Sequence, residues 1–208
     1  MDPEWRHQVL VWLGQNTPPP RIRHILGVET MARQLAQIHG VDPERAATAA
    51  LLHDLAKYFP PEHLLAMAEA DPETEVDAIL RAEPHLLHAD VSAIVAHQQF
   101  GLRDPEIQQA IRDHTLGRPD MGLLSCLIFV ADALEPHRGD HPVQQRLREV
   151  AKTDLITGVA AVCDYGLGFL LGKPKVIHPR TIAVRNAFWQ RSPHPHMIPV
   201  VYSGSGSL

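Results

Sequence analysis

Ala46 to Lys57 reads AATAALLHDLAK, and this run decides the fold. Alanine and leucine dominate it, as in a buried helix, yet His53 and Asp54 stand side by side near its end. An imidazole and a carboxylate buried in apolar surroundings are costly unless something pairs with them. Other histidines and another aspartate interrupt similarly apolar segments. His24 is flanked by Ile22, Ile25 and Leu26, His88 follows Leu86 and Leu87, His114 ends an amphipathic stretch, and Asp132 breaks the apolar run Met121 to Leu134. Taken singly, each reads as a satisfied core residue. Taken together on successive helices, they call for a common partner, and a metal ion is the reading that serves all of them. Nitrogen and carboxylate donors without thiolate suit iron, manganese, cobalt or zinc. His63, His85, His97 and His137 compete for ligand roles, and periodicity alone leaves that open.

Outward from this segment, helix signals dominate. Asp-Pro-Glu recurs at Asp2, Asp42, Asp71 and Asp104, and each triplet precedes a helical pattern. Aspartate caps a helix, proline fits its first position, and glutamate favours the positive end of the helix dipole. Trp5, Val9, Trp12 and Leu13 form a first apolar stripe closed by Gly14, and Ile22, Ile25, Met31, Leu35 and Ile38 a second that ends at Gly40. The third helix carries His53-Asp54. Further helices are expected near 61–69, 73–81, 91–101 and 104–115. Met121 to Leu134 reads as the central buried helix, and helices near 143–151 and 153–171 close the domain. No stretch alternates as a strand would, so the fold class is all-α, one compact irregular bundle. Residues 1–191 form the single domain; from Ser192 to Leu208, proline, histidine, glycine and serine predict a flexible tail.

Composition narrows the function. A formal net charge of -5 without a long basic run argues against nucleic acid as a partner, though a local basic pocket for a small polyphosphate remains open. Cys126 and Cys163 make neither a disulfide framework nor a zinc pair. No apolar run is long enough to span a bilayer, and the amphipathic start Asp2-Pro3-Glu4 does not resemble a signal peptide, so a cytoplasmic location is expected.

The order His24, His53-Asp54 and Asp132 resembles the HD-domain metallophosphohydrolases. Five ordered motifs make the resemblance more specific. RIRHILGV at Arg21 to Val28, AALLHDLAK at Ala49 to Lys57, LLHADVSA at Leu86 to Ala93, AIRDHTLG at Ala110 to Gly117 and ADALEPHRG at Ala131 to Gly139 together look like the YqeK family. The resemblance covers Pro20 to about Asn186 and implies a compact HD-domain helical bundle. It implies iron-dependent, symmetrical hydrolysis of diadenosine tetraphosphate to two ADP. By similarity, His24, His53, Asp54 and Asp132 would be the core metal ligands, while His88 and His114 would hold a second ion or touch phosphate. Leu116 departs from the polar residue expected after the family's His-Thr pair, which puts a substrate contact in doubt but no ligand.

Asp54, Lys57, His88 and His114 are the expected catalytic residues. Lys57 lies one turn after His53 and would neutralise phosphate; its alternative is a solvated lysine at a helix end. Arg138 offers a bidentate fork for phosphate, or else pairs with Glu135 at the surface. Arg21 and Thr115 are similar candidates, and Arg180 and Asn186 in HPRTIAVRN (His178 to Asn186) are candidates for the nucleotide side. Cys126, Met121, Phe188 and Trp189 read as core. Hydroxide made from a metal-bound water would attack an inner phosphorus, and ADP is a good enough leaving group to need no dedicated acid. The readings held beside this one are hydrolysis of a mononucleotide, a cyclic nucleotide or a guanosine polyphosphate, a di-iron oxygenase on the same scaffold, and a non-enzymatic nucleotide sensor. A homodimer stays open.

Overall fold

The computed structural model describes residues 1–197. Among them are α1 (Pro3–Asn16), α2 (Pro19–His39), α3 (Pro43–Leu52), α4 (Pro61–Ala70), α5 (Ala78–Ala82), α6 (His88–Phe100), α7 (Pro105–Asp113), α8 (Leu123–Leu134), α9 (Pro142–Thr153), α10 (Leu155–Leu171) and α11 (Pro179–Arg191), with no strand among the described residues. The fold is all-α, as expected. Most of the segment expected to be a flexible tail, 198–208, lies outside the described residues; Ser192 is tied to Thr157 by a 2.9 Å hydroxyl contact.

α8 is the hub. It packs against α2, α3, α7, α9 and α10, and Cys126, Leu127, Ile128, Val130, Ala131 and Leu134 are fully buried. α3 lies along α2, and both helices bury small residues, Ala46, Ala49 and Ala50 on one and Ala32 and Ala36 on the other, which let the backbones approach closely. This pairing brings His24 on α2 beside the end of α3.

The capping chemistry works at three of the four triplets. The carboxylates of Asp2, Asp42 and Asp104 accept from Trp5 N, Glu44 N and Glu106 N. Asp71 behaves differently: it ends α4, and no helix begins until Ala78. The buried guanidinium of Arg112 grips Asp71 Oδ2 at 3.0 Å and Thr74 Oγ1 at 2.9 Å, which holds the chain in an irregular path where 73–81 was expected to be helical. α1 runs past Gly14 to Asn16, because Gly14 keeps helical geometry and the stop comes from extended Thr17 before Pro18. Gly40, by contrast, ends α2 at φ 69°. The sequence reading lacked α11 altogether. His178 caps it by accepting from Arg180 N, and Val184 and Phe188 are buried as it packs on α10.

α3 also stops earlier than expected. His53 and Asp54 are not in a helix; they open a series of tight turns in which Leu55 N, Lys57 N and Phe59 N each donate three residues back. The His53 ring bonds back onto this helix end. Its Nδ1 donates to Ala50 O at 2.6 Å, occupying the carbonyl that a continued α-helix would give to Asp54 N. Ser92 Oγ on α6 then accepts from Ala56 N at 3.0 Å and anchors the turn.

Candidate metal centre

The same local device recurs at two more histidines. His88 Nδ1 donates to His85 O and His114 Nδ1 to Ile111 O, each at 2.7 Å and each three residues back. His114 sits at the end of α7 and His88 at the start of α6, so all three rings stand at helix junctions. A carbonyl only accepts, so Nδ1 carries a proton, and whenever the ring is neutral Nε2 is the bare donor. His24, in the first half of α2, is set differently: its Nδ1 lies 2.9 Å from the buried carboxylate of Glu135.

The four Nε2 atoms converge on two carboxylates. His24 Nε2 is 2.9 Å from Asp132 Oδ1 and 3.9 Å from Asp54 Oδ2, and His53 Nε2 is 3.6 Å and 3.3 Å from the same two atoms. On the other side of the Asp54 carboxylate, Oδ1 is 3.4 Å from His88 Nε2 and 3.7 Å from His114 Nε2. Asp54 therefore faces one pair of imidazoles with each oxygen. The donor atoms of His24, His53 and Asp132, and those of His53, Asp54 and His114, lie within 4.8 Å of one another in each set. His53 Nε2 and Asp54 Oδ1 are fully buried and have no hydrogen-bond partner. Orphaned acceptors of this kind, on a nitrogen-and-carboxylate donor set, fit a divalent cation.

The electrostatics point the same way. Burial alone would drive His53 towards neutrality, but Asp54 and Asp132 outweigh it and raise its pKa. Both carboxylates are held well below their ordinary value against the same burial, Asp54 by His53 and His114, Asp132 by His24 and His53. The pocket thus attracts positive charge. On the far side, burial, Lys57 and His114 push His88 down to about 3, so its ring stays a neutral donor.

Protein cations ring this cluster. Arg21 donates to Asp54 Oδ2 at 3.0 Å, Lys57 Nζ lies 3.0 Å from His88 Nε2, and Thr115 Oγ1 is about equally close to His88 and His114. Burial lowers the Lys57 pKa, and Arg21 and Arg138 add to that. Lys57 is therefore not the solvated helix-end lysine of the alternative reading. Arg138 pairs with Asp132 Oδ1 at 2.8 Å, not with the Glu135 carboxylate. Arg180 and Asn186 do not join the cluster. Arg180 lines a separate cavity of about 420 Å³ with Asp90, Arg112, Asp113 and Arg118, and Asn186 is exposed beside Arg185. The competing histidines lie elsewhere: His63 stacks on Phe59, His85 faces Glu83, His97 bonds Leu102 O, and His137 touches the cluster only through Glu135. Glu135 is the residue missed. Its signal was present, as an acid one turn beyond Asp132 at the end of an apolar helix, but its partner lies 111 positions away.

A family model described as the HD domain matches residues 21–137. The chain is 36% identical over 166 residues to a protein of Halalkalibacterium halodurans named bis(5'-nucleosyl)-tetraphosphatase, symmetrical, spanning 80% of this chain and 87% of that one. A Bacillus subtilis protein of the same name is 35% identical over 182 residues, 87% of this chain and 96% of its own. Among solved structures, one from Clostridium acetobutylicum, described as a "predicted HD superfamily hydrolase involved in NAD metabolism", superposes with a TM-score of 0.84 at 32% identity, covering 89% of this chain and 97% of that one.

Proposed function

The chain belongs to the HD-domain family, and within it to the YqeK family of symmetrical bis(5'-nucleosyl)-tetraphosphatases; from that premise we propose that it is a metal-dependent phosphohydrolase that splits diadenosine tetraphosphate into two ADP. The observation that carries the reading is Asp54, a carboxylate 1% exposed whose two oxygens each face a pair of imidazole Nε2 atoms.

We assign His24, His53, Asp54 and Asp132 to one divalent ion and Asp54, His88 and His114 to a second, with iron as the proposed metal. When bound, such ions act as Lewis acids and bring the pKa of a coordinated water to about 7. The chain's own residues do the rest. Fixed Nδ1 bonds aim all four rings without reorganisation. Lys57, Arg21 and Arg138 are assigned to the polyphosphate, where they offset charge on the transferred group and on the ADP that leaves. Thr115 adds a hydroxyl donor beside His88 and His114. ADP departs without a dedicated acid. Arg180 and Asn186 are left out of this assignment.

We place the enzyme in the cytoplasm as one catalytic domain over 1–191; no helix among the described residues is long and apolar enough to cross a membrane. The test is product analysis by the metal-loaded protein on a panel of nucleotides. ADP as the sole nucleotide product from diadenosine tetraphosphate is expected. ATP plus AMP would move attack to an outer phosphorus, and turnover of mononucleotides alone would overturn the substrate.

A further inference from the structure

We infer that Glu135 is a positioning residue for the metal centre: its carboxylate fixes His24 with Nε2 facing Asp132 and Asp54, and Gly27 is the notch that admits it. The inference rests on reading the cluster as a divalent-metal site.

Three of the rings are held by a backbone carbonyl three residues back at a helix junction, a position His24 does not occupy. In the interior of α2 the backbone carbonyls already accept from helix N–H groups, and His24 Nδ1 takes its acceptor from another element. Glu135, at the end of α8 and 1% exposed, supplies it. Oε2 is occupied by His137 N at 2.7 Å, which leaves Oε1 for His24 at 2.9 Å. No lysine or arginine pairs with this buried carboxylate among the described residues; His24 is its one ion-pair partner there. A Cβ on residue 27 would lie 2.2 Å from Glu135 Oε2 and 2.9 Å from His137 Cδ2. Glycine inside a helix is less favourable than alanine. At Gly27, one turn from His24, that disadvantage creates the space in which the carboxylate sits. A carboxylate acceptor makes an imidazole a more basic ligand than a carbonyl does, so His24 is the ring whose donor strength depends on a single replaceable side chain.

The test is titration of the full-length, chelator-stripped protein with Co(II), followed by calorimetry and by the cobalt absorption bands. The parent protein is expected to bind two ions. Glu135→Gln and Gly27→Ala, which weaken or displace the same acceptor from opposite sides, are expected to weaken one binding step by about ten- to a hundredfold and to leave the other in place. Gly158→Ala is the control, because its Cβ would meet Ala151 Cα at 2.9 Å in the α9–α10 contact. It is expected to lower the Tm without changing cobalt affinity. A folded Glu135→Gln protein that binds both ions like the parent would reduce Glu135 to a cap for the Pro136–Arg138 turn and overturn the inference. Equal weakening of binding by Gly158→Ala would overturn it too, since any loss of stability would then account for the effect. Cobalt binding absent from the parent protein would instead bring down the metal reading itself, and the inference with it.

Discussion

Asp113 and His114 are neighbours at one helix end, yet they serve two different polar sites. His114 turns into the metal centre. Asp113 turns into the separate cavity with Asp90 and Arg180. Both sites contain a deeply buried carboxylate with an unpartnered oxygen, Asp54 at 1% exposure and Asp113 at 2%. The difference lies in what converges on them. Asp54 meets four imidazoles whose Nδ1 atoms are engaged elsewhere, three on backbone carbonyls and one on Glu135, so the Nε2 atoms face inwards. Asp113 Oδ1 accepts from Gln109 Nε2 and Arg118 Nε, and the protein already supplies its counter-charge. A buried acid is therefore fitted to a cation by its neighbours' hydrogen bonds, not by burial alone.

The contrast is sharpest in substitutions of the two acids. Asp54→Ala is expected to strip bound metal and reduce turnover by at least about a thousandfold, since Lewis-acid stabilisation is worth several kcal/mol. Asp113→Asn is expected to leave metal content unchanged and to lower stability by about 1–3 kcal/mol through its broken network. Metal analysis and thermal melts of both proteins would break the comparison if Asp113→Asn also lost metal.

Next in size are the cations on the metal side. Arg138→Ala should keep metal and fold but lower kcat/KM by about ten- to a hundredfold, as expected for a charge-assisted contact of roughly 1.5–3 kcal/mol. Arg138→Lys should recover only part of it, because lysine lacks the fork. Steady-state kinetics at the parent level for Arg138→Ala would leave Arg138 as no more than a partner of Asp132.

pH separates the sites further. Asp54 and Asp132 raise the His53 pKa, so the metal-free centre holds a proton at neutrality that a cation must displace. Metal affinity should rise with pH through neutrality, by about tenfold per unit for one displaced proton, until His53 is deprotonated unaided. Calorimetry in two buffers of different ionisation heat reads that proton; equal apparent heats would mean none is released. The smallest effect is expected across the divide. Arg180→Ala and Asn186→Ala should change kcat/KM by no more than about twofold, in line with substitutions worth roughly 0.5 kcal/mol or less.

Much of this was legible in the sequence because periodicity and caps are local. α2, α6 and α8 follow their apolar stripes, and His24, His53, Asp54, His88, His114 and Asp132 all reach one cluster. What stayed hidden is non-local. The end of α3 at Leu52 comes with a histidine side chain taking a backbone carbonyl, and Asp71 reads as a cap only until Arg112, 41 positions away, is brought against it. Arg180 and Asn186 carry residue types suited to a nucleotide, but type does not fix direction. Only the packing of α11 puts Arg180 beside Asp90 and turns Asn186 to solvent.

Dependence of the chemistry on the bound ion is the central claim. Protein purified without oxygen should be stripped by chelation, its residual metal counted, and iron restored stepwise while ADP formation from diadenosine tetraphosphate is followed. Activity is predicted to vanish on stripping and to return in proportion to the metal regained. Undiminished ADP formation by protein verified to be metal-free would contradict the account.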